Sequence, residues 1–174
     1  MLITGITYIE NFLDQPDTLF RFLIEKVNWD ESMSARKTAS YGVAYNYSQM
    51  SYPHQDFLPE LNPLISEIEK LLHFRPNNCL LNYYFDGSSR MGFHSDQTDN
   101  LAVDTGVVIL SLGATRTLSF RNTNNKDIRH HYPLPTGSLI YMTNQVQDNW
   151  QHAILKDDTT KGRISLTFRK IELD

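Results

Sequence analysis

An α+β fold, a double-stranded β-helix (jelly roll) with supporting N-terminal helices, is what this 174-residue chain predicts. Three observations carry that expectation: two amphipathic helical segments come first, short β-like runs follow, and turn residues separate those runs at close intervals. The length suits one domain over residues 1–174, with 1–75 as helical support and substrate lid and 76–174 as the jelly-roll core.

The first helix is expected over residues 16–27. Asp14 can cap it, Pro16 suits its first turn, and Leu19, Phe20, Leu23, Ile24 and Val27 line one apolar face. The second runs over 63–73 behind Asn62 as cap, with Leu64, Ile65, Ile68, Leu71 and Leu72 at helical spacing. His73 closes it, where the helix dipole favours a protonated imidazole. Between the helices, 36–51 is polar and rich in Tyr without a clean period, the pattern of a hairpin or a flexible lid. Strands are expected at 78–85, 92–94, 105–112, 117–122, 128–133, 138–142, 152–155 and 163–171. Asp86-Gly87, Gly113, residues 122–125, Pro135-Thr136-Gly137 and residues 157–162 supply the turns.

With 40% apolar and 21% charged residues the composition is that of a globular protein. Residues 1–74 carry 5 Lys and Arg against 10 Asp and Glu, and residues 75–174 carry 11 against 10, so neither half is a basic block. A nucleic-acid partner would therefore be held by a local patch. The single Cys79 excludes an internal disulfide framework and sits in an apolar run, as a buried small hydrophobe does. No leader pattern and no apolar run long enough to span a bilayer stands out, so no membrane partner is expected. A cytoplasmic monomer, or a nuclear one in a eukaryote, is the expectation.

Chemistry enters at His94-Ser95-Asp96. In an extended segment, residues two apart share a face, so one imidazole and one carboxylate can meet a single ion. A distant His completes one face of an octahedron and leaves three positions open, the arrangement favoured by Fe(II) oxygenases. Of the six His, His152 is the best third ligand: it opens a predicted strand and follows Trp150, whose ring can shield the site. His130 and His131 lie in a polar stretch suited to solvated surface residues, and His54 has no partner pattern. HxD alone is a weak motif, common by chance.

The last predicted strand holds Arg163 and Arg169 six residues apart. An even spacing puts Arg163, Ser165, Thr167 and Arg169 on one face and Ile164, Leu166 and Phe168 on the other. Two guanidinium groups in a barrel mouth need an anion, because a buried unpaired charge is costly. A dicarboxylate would satisfy both with bidentate geometry. The alternative is an exposed charged face on an edge strand.

Several segments together resemble the AlkB-type Fe(II)/2-oxoglutarate-dependent dioxygenases: Asn82-Tyr83-Tyr84, His94-Ser95-Asp96, Ser111-Leu112-Gly113-Ala114-Thr115-Arg116, Trp150-Gln151-His152 and the strand from Arg163 to Arg169. Order and spacing match over residues 76–171, and Ala39-Ser40-Tyr41-Gly42 with Tyr45-Asn46-Tyr47-Ser48 resemble the family's substrate lid. The resemblance implies an oxidoreductase that uses Fe(II), 2-oxoglutarate and O₂. It implies that His94, Asp96 and His152 hold iron, and that Arg163 with Tyr84 holds the distal carboxylate of 2-oxoglutarate. Arg169 and Asn82 would take its keto-acid end, with Ser165 beside the co-substrate. The implied reaction is oxidative demethylation of alkylated DNA or RNA bases, a repair chemistry: hydroxylation at a carbon bonded to nitrogen gives an unstable hemiaminal that releases formaldehyde.

For the substrate, the family's nucleic-acid members flip the base and stack it between a lid aromatic and the first iron-ligand His. Tyr41 and Tyr45 are the lid candidates, each equally explained by packing, and Tyr47 is better explained by packing. Arg116 is either a substrate-positioning or a structural residue. Gln97 can hydrogen-bond a base. Here the sequence departs from many base-repairing members, which place acids directly after the ligand Asp; Gln97 and Thr98 stand there instead. Alkylated nucleic acid, single-stranded, is the first expected substrate class; a small molecule or protein side chain, hydroxylated on the same scaffold, is the alternative.

Overall fold

The computed structural model describes residues 2–47 and 50–173. Strand β1 (Ile6–Ile9) precedes helix α1 (Pro16–Lys26), then come β2 (Lys37–Gly42), β3 (Tyr45–Tyr47), β4 (Met50–Tyr52) and helix α2 (Asn62–Leu72). The remainder is β5 (Asn78–Tyr84), β6 (Met91–His94), β7 (Val107–Gly113), β8 (Arg116–Asn122), β9 (Arg129–Leu134), β10 (Leu139–Met142), helix α3 (Asn144–Asn149), β11 (Trp150–Ile154) and β12 (Arg163–Arg169).

Two antiparallel sheets form the jelly roll. The major sheet runs β1-β10-β7-β12-β5-β2 and the minor sheet β6-β11-β8-β9, while β3 and β4 pair as a separate hairpin. The eight predicted strands of residues 76–171 are all present, shifted by a residue or two at their ends. The segment 36–51 does contain a hairpin, but its first half, β2, is an edge strand of the major sheet rather than a lid. Together with β1, it makes the N-terminal region a contributor to the sheet as well as a helical support. Neither strand announces itself: β1 is only four residues long, and β2 offers only Ala39 and Tyr41 as apolar residues. Ser48 and the side chain of Tyr47 lie outside the described residues.

Alternation along β12 builds the layers. Ile164, Leu166 and Phe168 are fully buried against α1 and α2, in a cluster with Leu23, Ile65 and Ile68. Burying each such side chain contributes about 1.5–3 kcal/mol. The opposite face of the strand lies between the sheets, beside a second cluster that includes Leu80, Ile109, Leu118 and Ile154. The helix caps differ from expectation. Gln15, in a left-handed conformation (φ 50), precedes α1 in place of Asp14, and Asn62 lies inside α2 behind a 3-10 turn at Pro59–Leu61. Pro16 and Pro63 occupy the first turns, where a missing N–H costs nothing. His73 ends α2 at φ 64, its N–H donating to the Glu69 carbonyl. Among the described residues no helix is long and apolar enough to cross a membrane.

Candidate metal centre and co-substrate pocket

Strands β6 and β11 pair so that His94 stands opposite His152. The register then slips, with Ile154 opposite Met91, so β6 carries one extra residue. Strict alternation would turn Met91 and His94 to opposite faces; with this bulge both line the cavity between the sheets. Asp96 follows in irregular chain, pinned at two points. The Asp96 N–H donates to Gln147 Oε1 on α3 (2.7 Å), and Ser95 Oγ donates to the Trp150 carbonyl (2.7 Å). Since α3 leads directly into β11, the helix that holds the carboxylate segment also precedes His152.

The three side chains converge. His94 Nε2 is 3.3 Å and His152 Nε2 3.7 Å from Asp96 Oδ1, and the three ligand atoms lie within 4.8 Å of one another. His94 Nδ1 donates to the Gly92 carbonyl at 2.8 Å, which turns its Nε2 toward Asp96. The His94 side chain is 31% exposed whereas Asp96 and His152 are 10% and 4%, so an incoming molecule meets His94 first.

Charges are arranged to favour a cation at that point. Burial alone would raise the Asp96 pKa, but His152, the hydrogen bond from His94 and the Arg169 guanidinium outweigh it and hold the carboxyl ionised well below the usual range. Burial pushes His152 down to about 4, against the pull of Asp96, so its ring is neutral at pH 7. His94 is also penalised by burial, yet the hydrogen bond and charge of Asp96 raise it overall.

Behind the triad lies an anion-shaped deficit. Arg163 and Arg169 are 1% and 3% exposed, and on each the Nε and Nη1 atoms are buried without a hydrogen-bond partner. Arg163 Nη2 donates to Ser111 Oγ (2.9 Å) and its guanidinium lies 5.1 Å from the Tyr84 ring centroid. Arg169 Nη2 is 3.7 Å from Asp96 Oδ2. Burial pulls the Arg163 pKa down. Asn82, Tyr84 and Ser165 line the same cavity, and β12 is central in its sheet, between β7 and β5, rather than an exposed edge. Two guanidinium groups with unused buried donors fit a dicarboxylate, and two imidazole Nε2 atoms beside an ionised carboxylate fit a divalent metal.

Other predicted residues part from the site. Tyr45 is buried, with the Arg169 guanidinium 5.0 Å from its ring, so it borders the centre. Tyr41 does not: opposite Cys79 on β2, it faces the helices and packs in their cluster. Arg116 lies apart from the triad: its Nε is 2.9 Å from Asp157 Oδ2, its Nη atoms donate to the carbonyls of Asp86, Ser89 and Leu155, and it is 1% exposed. Gln97 is exposed. Trp150 is half-buried, 5.3 Å from His130 between ring centroids, at the margin of the inter-sheet cluster.

Gln147 and Arg36 escaped the sequence reading. Arg36 is buried, and its Nε donates to Asn82 Oδ1 (2.8 Å) and Nη1 to the Arg90 carbonyl (3.0 Å), orienting Asn82 at the cavity wall. Neither lies in a periodic segment, so nothing local marks them. Ser111 stood in a matched motif without a role.

Against known proteins, the family described as the 2OG-Fe(II) oxygenase superfamily matches residues 18–169. The chain is 31% identical over 182 residues to the mouse protein named alpha-ketoglutarate-dependent dioxygenase alkB homolog 3, covering 93% of this chain and 64% of that one. It is 29% identical over 150 residues to the bovine DNA oxidative demethylase ALKBH2, covering 78% of this chain and 53% of that one. The chain thus spans less than two thirds of the length of either relative. Among solved structures, OsALKBH1 superposes with a TM-score of 0.67 at 19% identity, over 98% of this chain and 100% of that one, a likeness of fold.

Proposed function

This chain belongs to the 2OG-Fe(II) oxygenase superfamily and is of its AlkB type, and from that premise we propose that it is a one-domain Fe(II)- and 2-oxoglutarate-dependent dioxygenase that demethylates alkylated nucleic-acid bases. The observation that carries the reading is the pair of buried guanidinium groups with unused donors, set directly behind a His-Asp-His cluster. In this reading His94, Asp96 and His152 hold Fe(II). Arg163, steadied by Ser111 and Tyr84, takes the distal carboxylate of 2-oxoglutarate; Arg169 and Asn82, with Ser165 alongside, take the keto-acid end.

Bound there, the iron with 2-oxoglutarate and O₂ supplies oxidation of a substrate C–H bond, with succinate and CO₂ as co-products. The chain's own residues do the rest. Arg169 lies 3.7 Å from Asp96 Oδ2 and helps keep that carboxylate ionised at working pH. The sheets shield the centre from water except at His94, whose partly exposed ring offers a face on which a flipped base can stack. Tyr45, beside Arg169, borders the same opening. The relatives' names, one of them a DNA oxidative demethylase, support the choice of a base as substrate.

His94→Ala, Asp96→Ala and Arg163→Ala are each expected to abolish succinate release with added iron while the fold survives, and full turnover in any of them would refute the assignment. Mass analysis of a methylated single-stranded oligonucleotide should show loss of one CH₂. One observation favours the alternative substrate class: Gln97 and Thr98 offer no negative charge to a cationic lesion. Succinate release driven by a metabolite, with oligonucleotides inert, would move the reading to a small-molecule hydroxylase.

A further inference from the structure

The net charge of −4 gives a polyanion no general attraction to this molecule, yet positive charge gathers on the outer face of the minor sheet. Arg121 on β8 and Arg129 on β9 are cross-strand partners, so two like charges stand directly opposite each other. That arrangement is destabilising on its own. Among the described residues neither forms an ion pair with a carboxylate, although Lys37, Lys70, Arg75 and Arg116 all do. Arg121 Nε donates to Gln151 Oε1 (2.9 Å) and Arg129 Nε to the Lys126 carbonyl (3.2 Å). Both bonds use Nε, which leaves the forked Nη edge of each guanidinium for another acceptor.

Phe93 organises the pair. The Arg121 guanidinium lies 4.1 Å from its ring centroid and that of Arg129 5.5 Å, so one ring holds both planar groups in place. Phe93 precedes His94 on β6, one side chain facing out while the next faces the metal site. The rung pairing Arg121 with Gln151 adjoins the rung pairing Phe120 with His152. The cluster therefore sits on the outside of the sheet, at the height of the opening. Lys126, exposed in the β8–β9 turn, adds a third cation, with the exposed Asp127 beside it.

We propose that Phe93, Arg121 and Arg129 form a contact surface for the phosphates of a single-stranded nucleic acid, holding the strand while one of its bases is presented at His94. The proposal rests on the nucleic-acid reading of the site. Two guanidinium groups without a carboxylate partner among the described residues stand on neighbouring strands spaced about 5 Å, on the outer face of the sheet rather than in a cavity. That geometry suits successive phosphates of a polymer better than one enclosed anion. The planar fork of Arg matches phosphate bidentately.

The test is fluorescence anisotropy of the full chain with a short end-labelled single-stranded oligodeoxynucleotide across a salt series. Each lost phosphate contact should lower the slope of log K against log salt by about 0.7, hence about 1.4 for the Arg121→Gln, Arg129→Gln pair, which at about 0.1 M salt is tenfold weaker binding or more. The Arg121→Lys, Arg129→Lys pair keeps the charges and should keep the slope. Both pairs should melt with the parent chain, since the side chains stand outside the sheet. A Gln pair with unchanged slope and affinity overturns the surface, and so does a Lys pair that loses as much slope as the Gln pair. If the parent chain itself ignores the oligonucleotide at every salt, the nucleic-acid reading falls, a result distinguishable from failure of the patch.

Discussion

A buried arginine with unused donors is an unfinished structure: its desolvation is offset only when an acceptor arrives. Arg163 and Arg169 are both in that condition, which supports the proposal of a dicarboxylate between them. Two residues in that zone were less legible. Gln147 is in a short polar helix without periodicity, and its role comes from a contact 51 residues away. Arg116 had to be placed in space before its partners, three of them backbone carbonyls, were apparent. If Gln147 sets the position of Asp96, Gln147→Leu should weaken Co(II) binding by about 10–100-fold, the usual loss when a ligand's support is removed. Titration of the metal's visible absorption reads that directly, and melting shows whether the fold is intact. The buried imidazole sets a pH dependence too. The His152 pKa is about 4 in the folded chain against an ordinary 6.5, so between these values only the unfolded chain binds the proton. Metal-free protein should therefore lose stability as pH falls from about 6.5 to 4, by on the order of 3 kcal/mol. Asp96, held low, adds loss in the same direction below its ordinary 3.8. His94, raised, works oppositely: its contribution is present below 6.5 and disappears as pH rises through its folded value. Thermal melts across this range, without metal, check the sign.

Among the elements, β12 was the most legible because its alternation is strict and both faces carry a purpose. The bulge in β6 was not, since a one-residue insertion leaves no mark in a four-residue strand. The HxD pair is brought together by a different route from an extended pair: the chain leaves the strand at His94, and hydrogen bonds to Gln147 and Trp150 aim Asp96. Gly92 separates two properties of the bulge. A Cβ there meets nothing within 4 Å, so Gly92→Ala should change stability by no more than about 0.5 kcal/mol and leave metal binding intact. Deleting Gly92 removes the extra residue and should turn either Met91 or His94 outward, abolishing Co(II) binding. Equal metal affinity in the deletion would show that the slip in register is incidental.

At the scale of the molecule, the sequence conveyed the layers and the helices that back them, because those depend on apolar periods. It concealed β1 and β2, which pair with distant strands and lack such periods of their own. The helix-facing cluster and the inter-sheet cluster share the central strands, so damage to one should reach the other. Leu166→Ala opens a void in the helix-facing layer and should cost about 2–5 kcal/mol. Saturating 2-oxoglutarate with Mn(II) should then raise the melting temperature of this variant, because ligands that bind only the folded state restore stability by mass action. A calorimetric series with and without both ligands measures it.

The position of β12 also has a kinetic meaning. It is the last of the described strands in chain order, yet it lies between β7 and β5, pairing Arg163 with both Gly113 and Tyr84. Until it inserts, two long apolar strands face each other across a gap with their backbone edges unsatisfied, the condition that invites intermolecular pairing. Folding during synthesis therefore cannot close the major sheet before β12 emerges, and the same insertion delivers both arginines. The cavity between the sheets and the sheet's protection from aggregation are completed in one event.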